Sequence, residues 1–97
     1  MKPGICLAVT YIAKEGHERA VAEALIKMQE HTRKEPGNLI YIAHQSPTNP
    51  RQFFLYEQYK TTEDLDVHRA ASYFKELLVD HCFGLLESRT PVQYIAL

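Results

Sequence analysis

The stretch "NLIYIAHQSPTNPRQFFLYEQYK", residues 38–60, decides the fold. "NLIYIAHQS" and "QFFLYEQYK" are each rich in β-branched and aromatic residues, and "SPTNPR" between them carries two prolines and an Asn. That pattern is an antiparallel hairpin with a loose loop. Within it Phe53, Leu55, Glu57 and Tyr59 share one strand face, while Phe54, Tyr56 and Gln58 share the other. Both faces are largely apolar, so neither is left to water.

Working outward, Ile5 to Ala13 is nearly all apolar or β-branched and reads as a first strand. After "KEGH" the period changes. Val21, Ala24, Leu25 and Met28 fall at helical spacing between His17 and about Lys34, with Glu18, Arg19, Glu23, Lys27 and Glu30 off that stripe. Pro36 stops this helix, and Gly37 is expected to take the positive φ of the turn. Beyond the hairpin, Thr61 with Asp64 forms a capping box for a short helix holding Leu65 and His68. Ser72 is expected to cap a continuation in which Phe74, Leu77, Leu78, His81 and Cys82 make one face, with a bend near Ala70 and Ala71. "PVQYIAL" reads as a last strand with its proline at the start.

The order is β-α-β-β-α-β in one domain over residues 1–97. The fold class is α+β: a ferredoxin-like four-stranded antiparallel sheet with helices on one face. Two helices cover one face, and the other is apolar as well. A homodimer, sheet against sheet, is therefore expected.

Composition narrows the function. The 97 residues are 45% hydrophobic and 24% charged, with a net charge of −1, and the eleven Lys and Arg are dispersed. No basic stripe offers a nucleic-acid or anionic membrane footprint. The apolar run after Lys2 is far below the ~20 residues of a membrane span and lacks a cleavage site, so a cytoplasmic protein is expected. Cys6 and Cys82 form no CxxC and read as buried thiols.

Glu57 stands out because burying an unpaired carboxylate costs many kcal/mol unless it finds a donor or binds a proton. His68, on the helix that comes after the same strand, is a reasonable donor. A structural contact that fixes register remains the other reading of the pair. His17 and His31 on the first helix, His44 on the second strand and His81 form no metal-ligand spacing, so no metal is expected. There is no glycine-rich loop for a dinucleotide or phosphate, and Ser46, Ser72 and Ser88 sit in no nucleophile elbow. Tyr41 and Tyr59 on adjacent strands, with Phe53 and Phe74, could wall an aromatic pocket, or serve simply as good strand and core residues.

Residues 35–76, "EPGNLIYIAHQSPTNPRQFFLYEQYKTTEDLDVHRAASYFKE", resemble the antibiotic biosynthesis monooxygenase family in the E-P-G turn, the "YE" of the third strand, the D-x-H of the next helix and the serine-phenylalanine segment, here Ser72 and Phe74. The resemblance implies a dimeric α+β barrel that oxygenates electron-rich aromatics such as quinols and anthrones without flavin, haem or metal. It implies His68 as base or proton relay, Glu57 as its orienting partner, and Tyr41, Tyr59, Phe53 and Phe74 around the ring. Haem-degrading relatives resemble the chain least, since it has no Trp and no Asn in its first strand. Another branch, similar over "YEQYKTTEDLDVH", isomerises a phosphorylated sugar-like signalling molecule, whose phosphate Lys60, Arg69 or Arg89 could hold. A non-catalytic dimer that binds a small molecule is the third expectation.

Overall fold

A computed structural model describes residues 2–97. The order is β1 (Ile5–Ala13), α1 (Glu18–Thr32), β2 (Asn38–Gln45), β3 (Gln52–Tyr59), α2 (Thr62–Ala70), α3 (Ser72–Phe74) and β4 (Leu86–Tyr94). The strands form one antiparallel sheet in the order β2-β3-β1-β4, the ferredoxin-like arrangement.

Alternation along the strands sorts their residues between the two faces. Ile5, Leu7, Val9, Tyr11 and Ala13 of β1 and Phe53, Leu55, Glu57 and Tyr59 of β3 are buried on the helix side. Val21, Ala24, Leu25 and Met28 of α1 are the buried stripe that meets them. Each of the larger aliphatic side chains among them, such as Val21, Leu25 and Met28, contributes ~1.5–3 kcal/mol by leaving water. On the open side, Ala8, Tyr56, Ile42 and Val92 lie in register across the sheet, and Ile42, Phe54 and Val92 remain about 40% exposed.

The segment between β3 and β4 departs from a continuous second helix. The Thr61 cap forms as expected, its hydroxyl accepting from the Asp64 amide at 3.1 Å. Ala71 then takes an extended conformation at ψ 143°, which ends α2 at the expected bend. Ser72 does not cap α3: Ala71 holds that position and makes no side-chain hydrogen bond. The chain winds on as a π-turn over Lys75–Val79 and a 3₁₀ turn over Cys82–Leu85. These breaks turn His81 outward to solvent while Leu78 and Cys82 stay buried.

Turns and edges also differ from the sequence expectation. Gly16, with φ +85°, is the glycine that uses left-handed backbone, between β1 and α1. Gly37 has no positive φ. It is required because any Cβ there would collide with the Asp64 side chain, so the E-P-G turn lies directly against the start of α2. The last strand runs from Leu86 to Tyr94, starting five residues before Pro91 and ending before Ile95. Pro91 pairs with Val9 in the middle of β4, a place open to it because β4 is an edge strand whose outer side needs no donor.

Candidate active site

Glu57 sits in the middle of the sheet, in register with Leu7 of β1 and Tyr41 of β2. It is only 5% exposed. The donor it finds is Tyr59, whose hydroxyl donates to Oε1 at 2.7 Å, rather than His68. Burial pushes the Glu57 carboxyl up to about 7, against the Tyr59 hydrogen bond and the Arg69 charge, which both favour the ionised form.

His68 does come to the same place. Its Nε2 lies 3.8 Å from Glu57 Oε1, close enough for electrostatic coupling and too long for a hydrogen bond. Its Nδ1 is engaged on the other side, 2.9 Å from Oε2 of Glu35, in the turn after α1. The Tyr73 hydroxyl donates to the same oxygen. Glu35 Oε1 is buried without a hydrogen-bond partner. Burial, and then the charges of Glu57 and Asp64, push the Glu35 carboxyl up to about 7. Burial pushes His68 down to about 4, helped by Arg69.

The result is a carboxyl-imidazole-carboxyl chain, Glu57, His68, Glu35, whose protons belong to the group rather than to one residue. With Nδ1–H donating to Glu35, Nε2 presents a lone pair toward Glu57, so a proton can pass along the chain with little movement. The imidazole is fixed by Tyr59, Phe74 and Tyr41, with ring centroids at 5.2, 5.2 and 5.9 Å.

Glu57 and His68 open on a cleft of about 80 Å³ between the sheet and the turns beyond α2. Tyr11, Tyr41, Phe74 and Phe83 supply aromatic walls and Leu7 and Val9 an aliphatic one. The volume is several times what a single water needs. Among the described residues no protein hydrogen bond engages the Tyr11 or Tyr41 hydroxyl.

Of the residues singled out by sequence, the structure brings Glu57, His68, Tyr41 and Phe74 to this cleft. Tyr59 stands behind it as the support of Glu57. Phe53 is not brought there. Four residues along β3, and so roughly 13 Å away, it packs against Ala22, Leu25 and Ala43 in a separate hollow under α1. Sequence reading missed Glu35, Tyr73, Tyr11 and Phe83. Tyr11 was within reach, since it shares the Leu7 and Val9 face of β1. Among the described residues no three His, Cys, Asp or Glu side chains converge as metal ligands, because Glu35 and Glu57 approach opposite sides of one imidazole.

The family model for antibiotic biosynthesis monooxygenases matches residues 4–78, well over half of the chain. The chain belongs to that family. Among solved structures, PA3566 of Pseudomonas aeruginosa is 26% identical over 100% of this chain and 96% of its own, with a TM-score of 0.92. A Nitrosomonas europaea protein assigned to antibiotic biosynthesis monooxygenases is 29% identical over 96% and 98%, with a TM-score of 0.83. SO0527 of Shewanella oneidensis is 25% identical over 99% and 96%, at 0.88. No curated protein matches. Membership in the monooxygenase family supports a monooxygenase-like role in general, and the four-stranded antiparallel sheet with its helices is the family's fold. Among the described residues no helix is long and apolar enough to cross a membrane.

Proposed function

We propose that this protein is a cofactor-independent monooxygenase of a small electron-rich aromatic, of the quinol or anthrone type, with O₂ as oxidant. The observation that carries the reading is the buried Glu57-His68-Glu35 chain ending in an aromatic-walled cleft. Such a substrate needs the protein only for binding, proton removal and exclusion of water, because its anion can itself reduce O₂.

For an anthrone, Glu57, ionised, takes a proton from the ring methylene, and the resulting anion passes one electron to O₂. The radical and superoxide combine in a C–O bond. The peroxide takes up a proton, the second C–H proton leaves, and the O–O bond breaks to give a carbonyl and water. One oxygen atom thus enters the product and one leaves as water. Glu57 takes the base role that sequence reasoning assigned to His68, since burial leaves the imidazole the weaker base. His68 then relays the proton to Glu35, whose side chain is 11% exposed. The test is O₂ uptake with a panel of quinols and anthrones against autoxidation. Uptake above background with one class supports the reading, and none with any member contradicts it.

Glu35 has a separable signature. The Glu57 charge disfavours ionisation of Glu35, and because repulsion between two like charges is mutual, removing the Glu35 charge eases ionisation of Glu57. Glu35→Gln should therefore move the acid limb of kcat/KM to lower pH and reduce kcat while leaving KM nearly unchanged. A merely structural Glu35 would lower thermal stability and leave the limb in place.

The isomerase reading is favoured by one observation, the presence of Arg69 and Arg89 on the cleft. It calls for proton shuttling without O₂ consumption, so the same electrode measurement separates the two.

We also infer a homodimer formed through the open sheet face. Ile42, Phe54 and Val92 lie there with Ala8 and Tyr56, an apolar surface of the kind that soluble monomers seldom leave bare. Ile42→Lys should halve the mass measured by sedimentation equilibrium, and an unchanged mass would refute this interface.

A further inference from the structure

The cleft has a feature that proton removal from an aromatic ring does not use. Arg69 of α2 and Arg89 of β4 both line it, although they come from separate elements. Neither has a carboxylate within ion-pair distance among the described residues, where the other pairs are Arg51 with Glu87 and Lys75 with Asp80. Lys60, grouped with them by sequence, is not on the cleft.

Isolated surface cations are ordinarily just solvated. Arg89 differs because its guanidinium lies 3.9 Å over the centroid of Phe83, itself a wall of the cleft. That stacking orders the side chain and leaves the edge of its fork free to donate. Phe83 is held in turn by edge contacts to Tyr11 and Phe74, at 6.2 and 6.3 Å. Both charges are felt inside: Arg69 acts on Glu57 and His68, and Arg89 on Tyr11. The single acidic residue on the cleft is the buried Glu57, which feels the Arg69 charge but forms no ion pair with either exposed arginine, so two cations share the cleft with one carboxyl.

We propose that the molecule taken up by this cleft carries an anionic group, a carboxylate or a phosphate, which Arg69 and Arg89 hold at the mouth while the rest of the molecule reaches Glu57 and His68. Two guanidiniums at one opening match the several acceptor oxygens of either group. The anion fixes the orientation of the molecule, and the apolar walls supply contact area. The chain's net charge is −1, so this attraction comes from the local arrangement rather than from a positive protein. The proposal rests on the cleft being the substrate site, and it holds whether or not the reaction uses O₂.

The test is calorimetric binding under nitrogen, which separates binding from turnover. The probes are 2,5-dihydroxybenzoate, its neutral amide and phenyl phosphate. The acid should bind at least about tenfold more tightly than the amide at low salt, and the advantage should shrink as salt screens it. The double variant Arg69→Met, Arg89→Met should lose that preference while keeping its circular dichroism spectrum. Lys60→Met, which removes a cation outside the cleft, should retain it. Tighter binding of phenyl phosphate than of the acid assigns the anion to phosphate, and the reverse assigns it to carboxylate. Equal affinity for acid and amide, a preference that survives in the double variant, or no binding of either anion overturns the proposal. O₂ uptake with neutral quinols alongside any of those results would leave the oxygenase intact. Anion binding without O₂ uptake would leave this inference and remove the oxygenase.

Discussion

Glu57→Gln lowers kcat/KM for O₂-dependent turnover by about 10²–10⁴-fold, the usual worth of a positioned general base. The substitution is nearly isosteric, and the amide oxygen can still accept from the Tyr59 hydroxyl that now donates at 2.7 Å. The loss should therefore fall on the chemical step, with substrate binding largely preserved. In the wild type the base is competent only when ionised. Activity should rise with pH through about 7, to which burial has pushed the carboxyl, and this limb should vanish in the variant. Steady-state rates between pH 5 and 9 check both statements. Retention of activity with an unchanged pH profile would remove Glu57 from the mechanism.

The same substitution should stabilise the protein at alkaline pH. A carboxyl whose pKa is raised on folding contributes stability fully below its unfolded value near 4.5, and that contribution is lost as pH rises through about 7. A glutamine side chain at this position has no such dependence. The variant's advantage in unfolding free energy should be small at pH 4.5 and grow by at most about 1.4 kcal/mol per pH unit up to neutrality. That amounts to about 3 kcal/mol, an upper value because the unfolded chain is not fully solvated. His68 works in the opposite direction: with its pKa lowered to about 4, its contribution is lost as pH falls below 6.5. It is present in both proteins, so the difference between them reports Glu57 together with its coupling to His68 and Glu35. Urea unfolding at pH 5 and pH 8 measures it, and a variant that loses stability at both would point to a structural carboxylate. Activity and stability thus pull against each other at one side chain, the pattern expected where a charged group is held in a dry site.

The sequence carried the sheet because its strands are short, two-sided and bounded by turn residues. The hairpin, the α1 stripe and the Thr61 cap are local patterns, and the structure reproduces them. β4 was misplaced because "LESRTPVQY" is an exposed edge strand without apolar alternation, held by pairing to β1 rather than by its own period. The region after Ala71 escaped because a π-turn and a 3₁₀ turn both break the helical spacing that revealed it. At the site, strand alternation put Phe53 and Glu57 on one face correctly, yet it cannot say where along that face a helix will sit. The position of α2 and the turns after it selects Phe74 and leaves Phe53 under α1. Glu35 was invisible as a partner because it meets His68 across 33 residues of chain. The E-P-G turn that places it was legible only as a resemblance, and in the structure its Gly37 backbone passes directly against the Asp64 side chain.

Cofactor-free oxygenation is tested most directly by the fate of the oxygen atoms. An anthrone that the wild type turns over faster than it autoxidises is converted under ¹⁸O₂, and the product mass is read against the same reaction in H₂¹⁸O. The expected result is one ¹⁸O atom per product molecule from O₂ and none from water, with formation slowed in Glu57→Gln. Product oxygen drawn from water, or labelled product formed equally well by the variant, would contradict it.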